Sequence, residues 1–253
     1  FTEPIPVSSS GHLVIFQNLF DVEALNDLNF AIFSNFGSLI AIIIVFRKDI
    51  AKLFMDFINY IKTRDKQYKS GFRYVLLVAL ATIPAGVVGL LFNDFIENQL
   101  SNVKYVGVSL LITALFLFLI RKLKGKKDDS HITVADAIQV GLFQVVALFP
   151  GISRSGATLV GGMFAGLKRE TAFKFSFMLY IPISIATMIL GVSDVASTGI
   201  EMDLLAGYII GAIAACVVTF FATKWFQGVM LKGKLIYFVY YCLIAGTLVI
   251  LFL

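Results

Sequence analysis

Charged residues are scarce in this 253-residue chain: Asp, Glu, Lys and Arg make up 15% of it, whereas hydrophobic residues make up 58%. Soluble domains carry about 25% charged residues, so the composition excludes an ordinary soluble protein. Cysteine is also scarce, and Cys216 and Cys242 both lie in apolar runs, which argues against a disulfide framework. The mean hydropathy of +0.89 favours a membrane protein.

Six apolar runs are long enough to cross a hydrocarbon core of about 30 Å as helices. They occupy residues 30–46, 74–92, 105–120, 171–192, 204–223 and 235–253. We therefore expect an all-α polytopic membrane protein that forms one integral membrane domain over residues 1–253. The chain begins with Phe1 rather than with a methionine, and we expect further residues to precede it in the full protein.

The excess of basic residues, which gives a formal net charge of +5, is concentrated in loops. The positive-inside rule assigns four basic segments to the cytoplasm: residues 47–73, 121–133, 168–174 and 224–234. Three segments that contain only one lysine are assigned to the outer side: 21–29, 93–104 and 193–203. Such a distribution is not a nucleic-acid-binding face, so no nucleic-acid partner is expected. Within the first basic segment, residues 49–61 predict an interfacial helix.

The loop assignment predicts two re-entrant hairpins in addition to the six spans. The run 30–46 ends inside, so the chain before it must enter and leave the membrane from the outer side. Both ends of segment 134–167 lie inside, and Pro150 with Gly151 interrupts it, which predicts a hairpin entering from the cytoplasm. Each half of the chain, 1–130 and 131–253, is then one hairpin plus three spans. Because three is odd, the halves form an inverted-topology repeat.

The two hairpin tips have similar sequences, "PVSSSGH" at 6–12 and "PGISRSG" at 150–156. Each is followed by a Phe-Ser pair that opens a spanning run, Phe33-Ser34 in the first half and Phe175-Ser176 in the second. Because the hairpins enter from opposite sides, we expect their tips to meet near the middle of the bilayer.

Polar tips at that depth predict an anion site. Unpaired backbone groups there cost several kcal/mol each, and Arg154 adds roughly 2.5 to 3.5 kcal/mol, so such residues are functional by default. Both tips lead into a helix, whose free N–H groups and positive dipole end favour an anion. The planar guanidinium of Arg154 suits phosphate. The predicted phosphate-binding residues are Ser8, Ser10, Gly11, Ser153, Ser155 and Gly156.

Two further residues make the predicted site reactive. Glu3 could hold a divalent cation against phosphate oxygens or accept a proton from a nucleophile. His12 could act as a general acid or base near neutral pH. The nucleophile is left open between a hydroxyl, that of Ser9 or Ser10, and water.

The segments "TEPIPVSSSGH", "PGISRSGAT" and "FSFMLYIP" (175–182) resemble the signature segments of bacterial undecaprenyl pyrophosphate phosphatases of the bacitracin-resistance type. The resemblance implies removal of the terminal phosphate of the polyprenyl pyrophosphate carrier, with Glu3, Ser9, His12 and Arg154 as catalytic residues. It also implies a divalent cation, Mg²⁺ or Ca²⁺, with Glu3 as ligand. The family motif has a second glutamate four residues before the position of Glu3, which would lie ahead of Phe1.

The resemblance also implies a place and partners for the protein. It implies a multi-pass protein of the bacterial inner membrane, surrounded by membrane lipids, with its active site open to the outer face. Its expected role is recycling of the carrier for peptidoglycan synthesis, with tolerance to bacitracin. A homodimer is compatible with the sequence.

Other interpretations of the same residues stay open. Serine and glycine in membrane helices often serve only close packing. A secondary transporter also uses inverted repeats with broken helices. A serine protease within the membrane would need a Ser–His pair on separate helices, which His12 with Ser153 or Ser155 could mimic, but it would need neither Glu3 nor Arg154. A second class of lipid phosphatases needs a histidine six residues after its Ser-Arg pair, and no histidine follows Arg154 there.

Overall fold

A computed structural model describes residues 1–20, 28–100, 102–198 and 202–253 of the chain. Within these ranges the regular structure is helical, apart from one isolated bridge between Lys127 and Leu167. The predicted all-α class is therefore confirmed. The α-helices are α1 (Ser9–Phe20), α2 (Leu28–Val45), α3 (Arg47–Thr63), α4 (Lys69–Leu100), α5 (Val103–Ile120), α6 (Val134–Val146), α7 (Arg154–Phe164), α8 (Arg169–Thr198), α9 (Met202–Leu231) and α10 (Ile236–Phe252). Short 3₁₀ helices, Lys66–Tyr68 and Asp129–His131, lie shortly before α4 and α6.

All six predicted apolar runs fall on helices of the described chain. Four stretches are long and apolar enough to cross a membrane: Lys66–Phe92, Val103–Ile120, Arg169–Gly191 and Leu204–Leu231. A fifth span exists if α2 and α3, which bend by 76° at their junction, are counted as one broken span. The sixth run forms α10, an apolar helix of 17 residues. Several apolar helices of this kind make the chain a multi-pass membrane protein.

The helix predicted at residues 49–61 is the central part of α3. Its polar and apolar positions alternate with the helical period, and Phe54 and Met55 are more than half exposed. The bend of 76° between α2 and α3 makes α3 run away from the axis of α2. Such an amphipathic helix suits the boundary between headgroups and acyl chains.

Segment 134–167, for which a re-entrant hairpin is predicted, folds as two short helices, α6 and α7, that pack against each other. Thr133 and Asp136 close a capping box that starts α6, and Ser153 caps the start of α7. The predicted break contains Gly151, whose φ of +90° is open to glycine but strained for other residues. The arms have 13 and 11 residues, or roughly 20 and 17 Å of helix, each too short to span a membrane.

Helix α5 is the central support for the site, because both α1 and α7 pack against it. One side of α5 is fully buried, as Val106, Leu110 and Leu117 show. Helix α5 also packs against α10, where a Cβ on Gly246 would lie 2.8 Å from the carbonyl oxygen of Gly107. The two backbones can therefore approach only because glycine occupies the crossing.

Candidate active site

The first tip is a turn that ends at Ser8, where α1 begins. Ser8 has a φ of 68°, in the left-handed region that non-glycine residues rarely adopt. Its hydroxyl oxygen accepts the N–H of Gly11 at 3.1 Å, and its carbonyl oxygen accepts the N–H of His12 at 3.2 Å. Ser8 is therefore the cap of α1, held in a strained conformation of the kind that concentrates at functional sites.

The second tip repeats the capping hydrogen bond but not the left-handed backbone, since Ser153 has a φ of −70°. The hydroxyl oxygen of Ser153 accepts the N–H of Gly156 at 3.1 Å. The hydroxyls of Ser153 and Ser155 lie 3.2 Å apart, and those of Ser8 and Ser10 lie 3.3 Å apart. The match between "SSSG" and "SRSG" is thus a match of local structure. Ser9 and Arg154 occupy equivalent positions at the starts of α1 and α7.

The two tips lie against each other. Arg154 Nη2 donates a hydrogen bond to Glu3 Oε1 at 2.8 Å. The Ser155 hydroxyl donates to the carbonyl oxygen of Ile5 at 3.3 Å. A Cβ built on Gly11 would lie 3.0 Å from the Cα atom of Gly151, so glycine is required for the approach. The structure therefore brings Glu3, the serines of both tips and Arg154 into one site.

Arg154 is held on its other side by an aromatic ring. Its guanidinium carbon lies 4.5 Å from the centroid of the Tyr180 ring, and the Tyr180 hydroxyl donates to Asn35 Oδ1 at 2.7 Å. The side chains of Arg154 and Glu3 are 27% and 24% exposed. Glu3 accepts from one guanidinium nitrogen, and a guanidinium has five N–H donors, so donors remain for an anion.

Backbone donors at both helix starts are also free. In the described chain no acceptor is bonded to the N–H groups of Ser9 and Ser10, or to those of Arg154 and Ser155. These groups belong to the first turns of α1 and α7, where the helix dipole is positive. Two helix N-termini and one guanidinium thus supply the donors that phosphate oxygens require.

His12 makes contacts that sequence reasoning did not predict. Its Nδ1 atom lies 2.6 Å from the carbonyl oxygen of Ser8, which can only accept, so Nδ1 carries a proton. Its Nε2 atom lies 2.5 Å from the hydroxyl of Tyr241 in α10. The Ser9 hydroxyl has no partner among the described residues. Both ring nitrogens of His12 are engaged in this way, and among the described residues neither is bonded to the hydroxyl of Ser153 or Ser155, so the serine protease interpretation loses its geometric basis.

The acidic side chains at the site can supply only part of a metal shell. No group of three or more His, Cys, Asp or Glu residues with the geometry of a metal site occurs in the described ranges. Glu3 Oε1 is occupied by Arg154, and the described residues leave Oε2 without a partner. One carboxylate oxygen fits a cation such as Mg²⁺ when substrate phosphates and water complete the shell, because Mg²⁺ is often bound in that way.

Comparisons with known proteins agree with these observations. The family model described as "Bacitracin resistance protein BacA" matches residues 1–248. The chain is 46% identical to "Undecaprenyl-diphosphatase 2" of Bacillus thuringiensis, over 100% of this chain and 93% of that protein. It is 47% identical to "Undecaprenyl-diphosphatase" of Oceanobacillus iheyensis, over 100% of this chain and 92% of that protein. It is 45% identical to "Undecaprenyl-diphosphatase 1" of Bacillus licheniformis, over 100% and 93%.

Proposed function

The chain belongs to the bacitracin resistance protein BacA family, and on that basis we propose that it hydrolyses undecaprenyl diphosphate to undecaprenyl phosphate and inorganic phosphate. The activity recycles the lipid carrier for peptidoglycan synthesis and gives tolerance to bacitracin. The observation that carries the proposal is the 2.8 Å contact between Arg154 and Glu3, which joins the two polar tips into one site.

The diphosphate binds between the tips. The free N–H groups at the starts of α1 and α7, with the guanidinium of Arg154, hold the terminal phosphate. The hydroxyls of Ser8, Ser10, Ser153 and Ser155 and the backbones of Gly11 and Gly156 line the same site. The undecaprenyl chain lies among the surrounding apolar helices. Donors fixed before the reaction stabilise the charge that develops on the phosphoryl oxygens.

Hydrolysis needs an oxygen nucleophile, and two are available. The Ser9 hydroxyl or a water attacks the terminal phosphorus, and the bond from phosphorus to the bridging oxygen breaks. Undecaprenyl phosphate leaves with that oxygen, and the proton of the nucleophile passes to a base, Glu3 or His12. Ser9 as nucleophile would give a phosphoserine that water then hydrolyses.

A divalent cation, Mg²⁺ or Ca²⁺, is proposed as the cofactor, with Glu3 as its protein ligand. When bound, it would neutralise charge on the phosphate oxygens. With the cation bound, one Glu3 oxygen would hold it while the other orients the Arg154 guanidinium, so the base would then be His12.

The direct test measures phosphate release from undecaprenyl diphosphate by the purified protein in micelles. We expect one inorganic phosphate for each lipid consumed, loss of turnover in EDTA, and recovery with Mg²⁺ or Ca²⁺. Lipid binding without release would contradict the proposal and favour a transporter of lipid phosphates.

We also propose the finer membrane arrangement of six spans and two re-entrant hairpins, with halves 1–130 and 131–253 inverted relative to each other. Two observations support it: at each tip a serine hydroxyl accepts the N–H three residues on, and α1 and α7 share α5 as their packing partner. The arrangement opens the site to the outer face. Assembly into a homodimer stays a prediction.

Tyr241→Phe tests the part of His12 in the reaction. Loss of the hydroxyl frees Nε2 and loosens the ring, so we expect kcat to fall roughly 10- to 100-fold while KM changes little. Steady-state kinetics on the lipid substrate measure both constants. Tyr240→Phe is the matched control, because Tyr240 is 59% exposed and should leave kcat unchanged. Equal kinetics of the two variants would show that Tyr241 has no part in positioning His12.

A further inference from the structure

A second polar cavity lies at the opposite end of α6 from the tips. It has a volume of about 270 Å³ and is lined by the start of α4, the 3₁₀ helix before it, and Asp129 and Ser130. These two residues lie shortly before α6 begins, whereas the second tip follows its end. The cavity is therefore separated from the proposed active site by roughly 20 Å, the length of a 13-residue helix.

The cavity has more positive charge than its acidic neighbours balance. Lys66, Lys69 and Arg73 line it. Among the described residues, neither lysine has an acidic partner, and Arg73 donates to a backbone carbonyl. The acidic groups close by are already engaged: Asp49 and Asp129 are paired with Lys174, Asp65 caps the 3₁₀ helix, and Asp56 packs over Gly71.

The lysines of the cavity lie at helix N-termini, where positive charge is disfavoured. Lys69 is the first residue of α4, and Lys66 begins the 3₁₀ helix immediately before it. The N-terminus of a helix carries partial positive charge. Asp65 caps the 3₁₀ helix, but the first turn of α4 holds no acidic residue, so Lys69 is unfavourable there without an anion. A bound anion would interact with both the lysines and the helix end.

A buried hydroxyl gives independent evidence for a ligand. Tyr74 lines the same cavity and is only 2% exposed, yet its hydroxyl has no hydrogen-bond partner in the described chain. Buried polar groups are almost always paired, so an unpaired one requires an explanation. A phosphate oxygen, or a water held by it, would pair this hydroxyl.

We propose that this cavity binds a phosphate group, that of an anionic phospholipid in the cytoplasmic leaflet. The lipid source is favoured because α3, which packs beside the cavity, exposes Phe54 and Met55 as an anchor among acyl chains. The basic segment 47–73 marks this end of the molecule as cytoplasmic. Basic pockets between membrane helices on this side are suited to lipid headgroups.

The test compares two double variants of the full protein, purified in an uncharged detergent. Lys66→Gln/Lys69→Gln removes the unpaired charges, and Lys122→Gln/Lys124→Gln removes the same charge from exposed positions outside the cavity. Binding of phosphatidylglycerol, phosphatidylcholine and inorganic phosphate is measured by native mass spectrometry and thermal shift. We expect phosphatidylglycerol to bind in preference to phosphatidylcholine, with a roughly 10- to 30-fold loss of affinity in the first variant only.

Tyr74→Phe provides a second measurement. Because the hydroxyl has no partner in the described chain, its removal should leave the Tm of the lipid-free protein unchanged or raised. The stabilisation by phosphatidylglycerol should fall. Inorganic phosphate could instead bind saturably, in a way that depends on Lys66 and Lys69, while no lipid binds. That result would show that the cavity binds phosphate, but that its ligand is free phosphate rather than a lipid. Equal losses in both double variants, or no loss in either, would overturn the proposal.

Discussion

Arg154→Ala is expected to lower the rate of phosphate release about 10²- to 10³-fold, the effect of removing one fixed donor from a developing oxyanion. Arg154 is the cationic side chain that the structure holds at the meeting point of the tips, between Glu3 and the ring of Tyr180. Its loss removes several phosphate donors together and leaves the Glu3 carboxylate unopposed. The measurement is turnover of undecaprenyl diphosphate at saturating lipid.

Two further variants show whether the loss belongs to the site. Arg154→Lys keeps the charge but not the planar fork, so we expect intermediate turnover. Arg47→Ala removes an exposed arginine from the start of α3 and should leave turnover unchanged. Turnover above half the wild-type rate in correctly folded Arg154→Ala protein would reject the assignment.

Gly151→Ala is expected to destabilise the protein by about 2 to 5 kcal/mol, through backbone strain together with overpacking. At a φ of +90° a Cβ atom is disfavoured, and it would lie 2.7 Å from the Cβ of Ser109 and 2.9 Å from the Cα of Val106. Both contacts belong to α5, which also carries α1. The variant should therefore separate the tips and lower turnover together with stability, measured by denaturation in micelles.

Alanine substitutions at two other glycines distinguish backbone strain from overpacking as the cause of that destabilisation. A Cβ on Gly166, at a φ of +83°, would meet no atom within 4 Å, so Gly166→Ala should show strain alone, about 1 to 2 kcal/mol. Gly86 lies inside α4 with open space around it, and alanine there should be neutral or stabilising by about 0.5 to 1 kcal/mol. If Gly151→Ala is no worse than Gly166→Ala, the tip does not pack as described.

Features of the fold that depend on local sequence could be predicted. The apolar runs fall on helices, and the hairpin breaks at Pro150 and Gly151, because hydrophobic length and helix breakers act over a few residues. Charge in the loops predicted the direction of each segment. Together they predicted that the "SSSG" and "SRSG" tips meet, and the structure joins them through Glu3 and Arg154.

Contacts between distant residues were beyond such reasoning. Tyr241 is bonded to His12 across 229 residues, and it lies in a run so uniformly apolar that no period shows which face is buried. Tyr180 was within a recognised segment, but its ring contact with Arg154 depends on how α8 packs against α7. The cavity beside Tyr74 likewise arises from packing, whereas the sequence showed only a basic loop.

The most direct test is a structure of the protein in lipid nanodiscs with a non-hydrolysable methylene diphosphonate analogue of the substrate. We predict that the terminal phosphonate lies between the starts of α1 and α7, bonded to backbone N–H groups of both and to Arg154. A headgroup bound to one tip only, or at a distance from Arg154, would contradict the claim that two tips form one phosphate site.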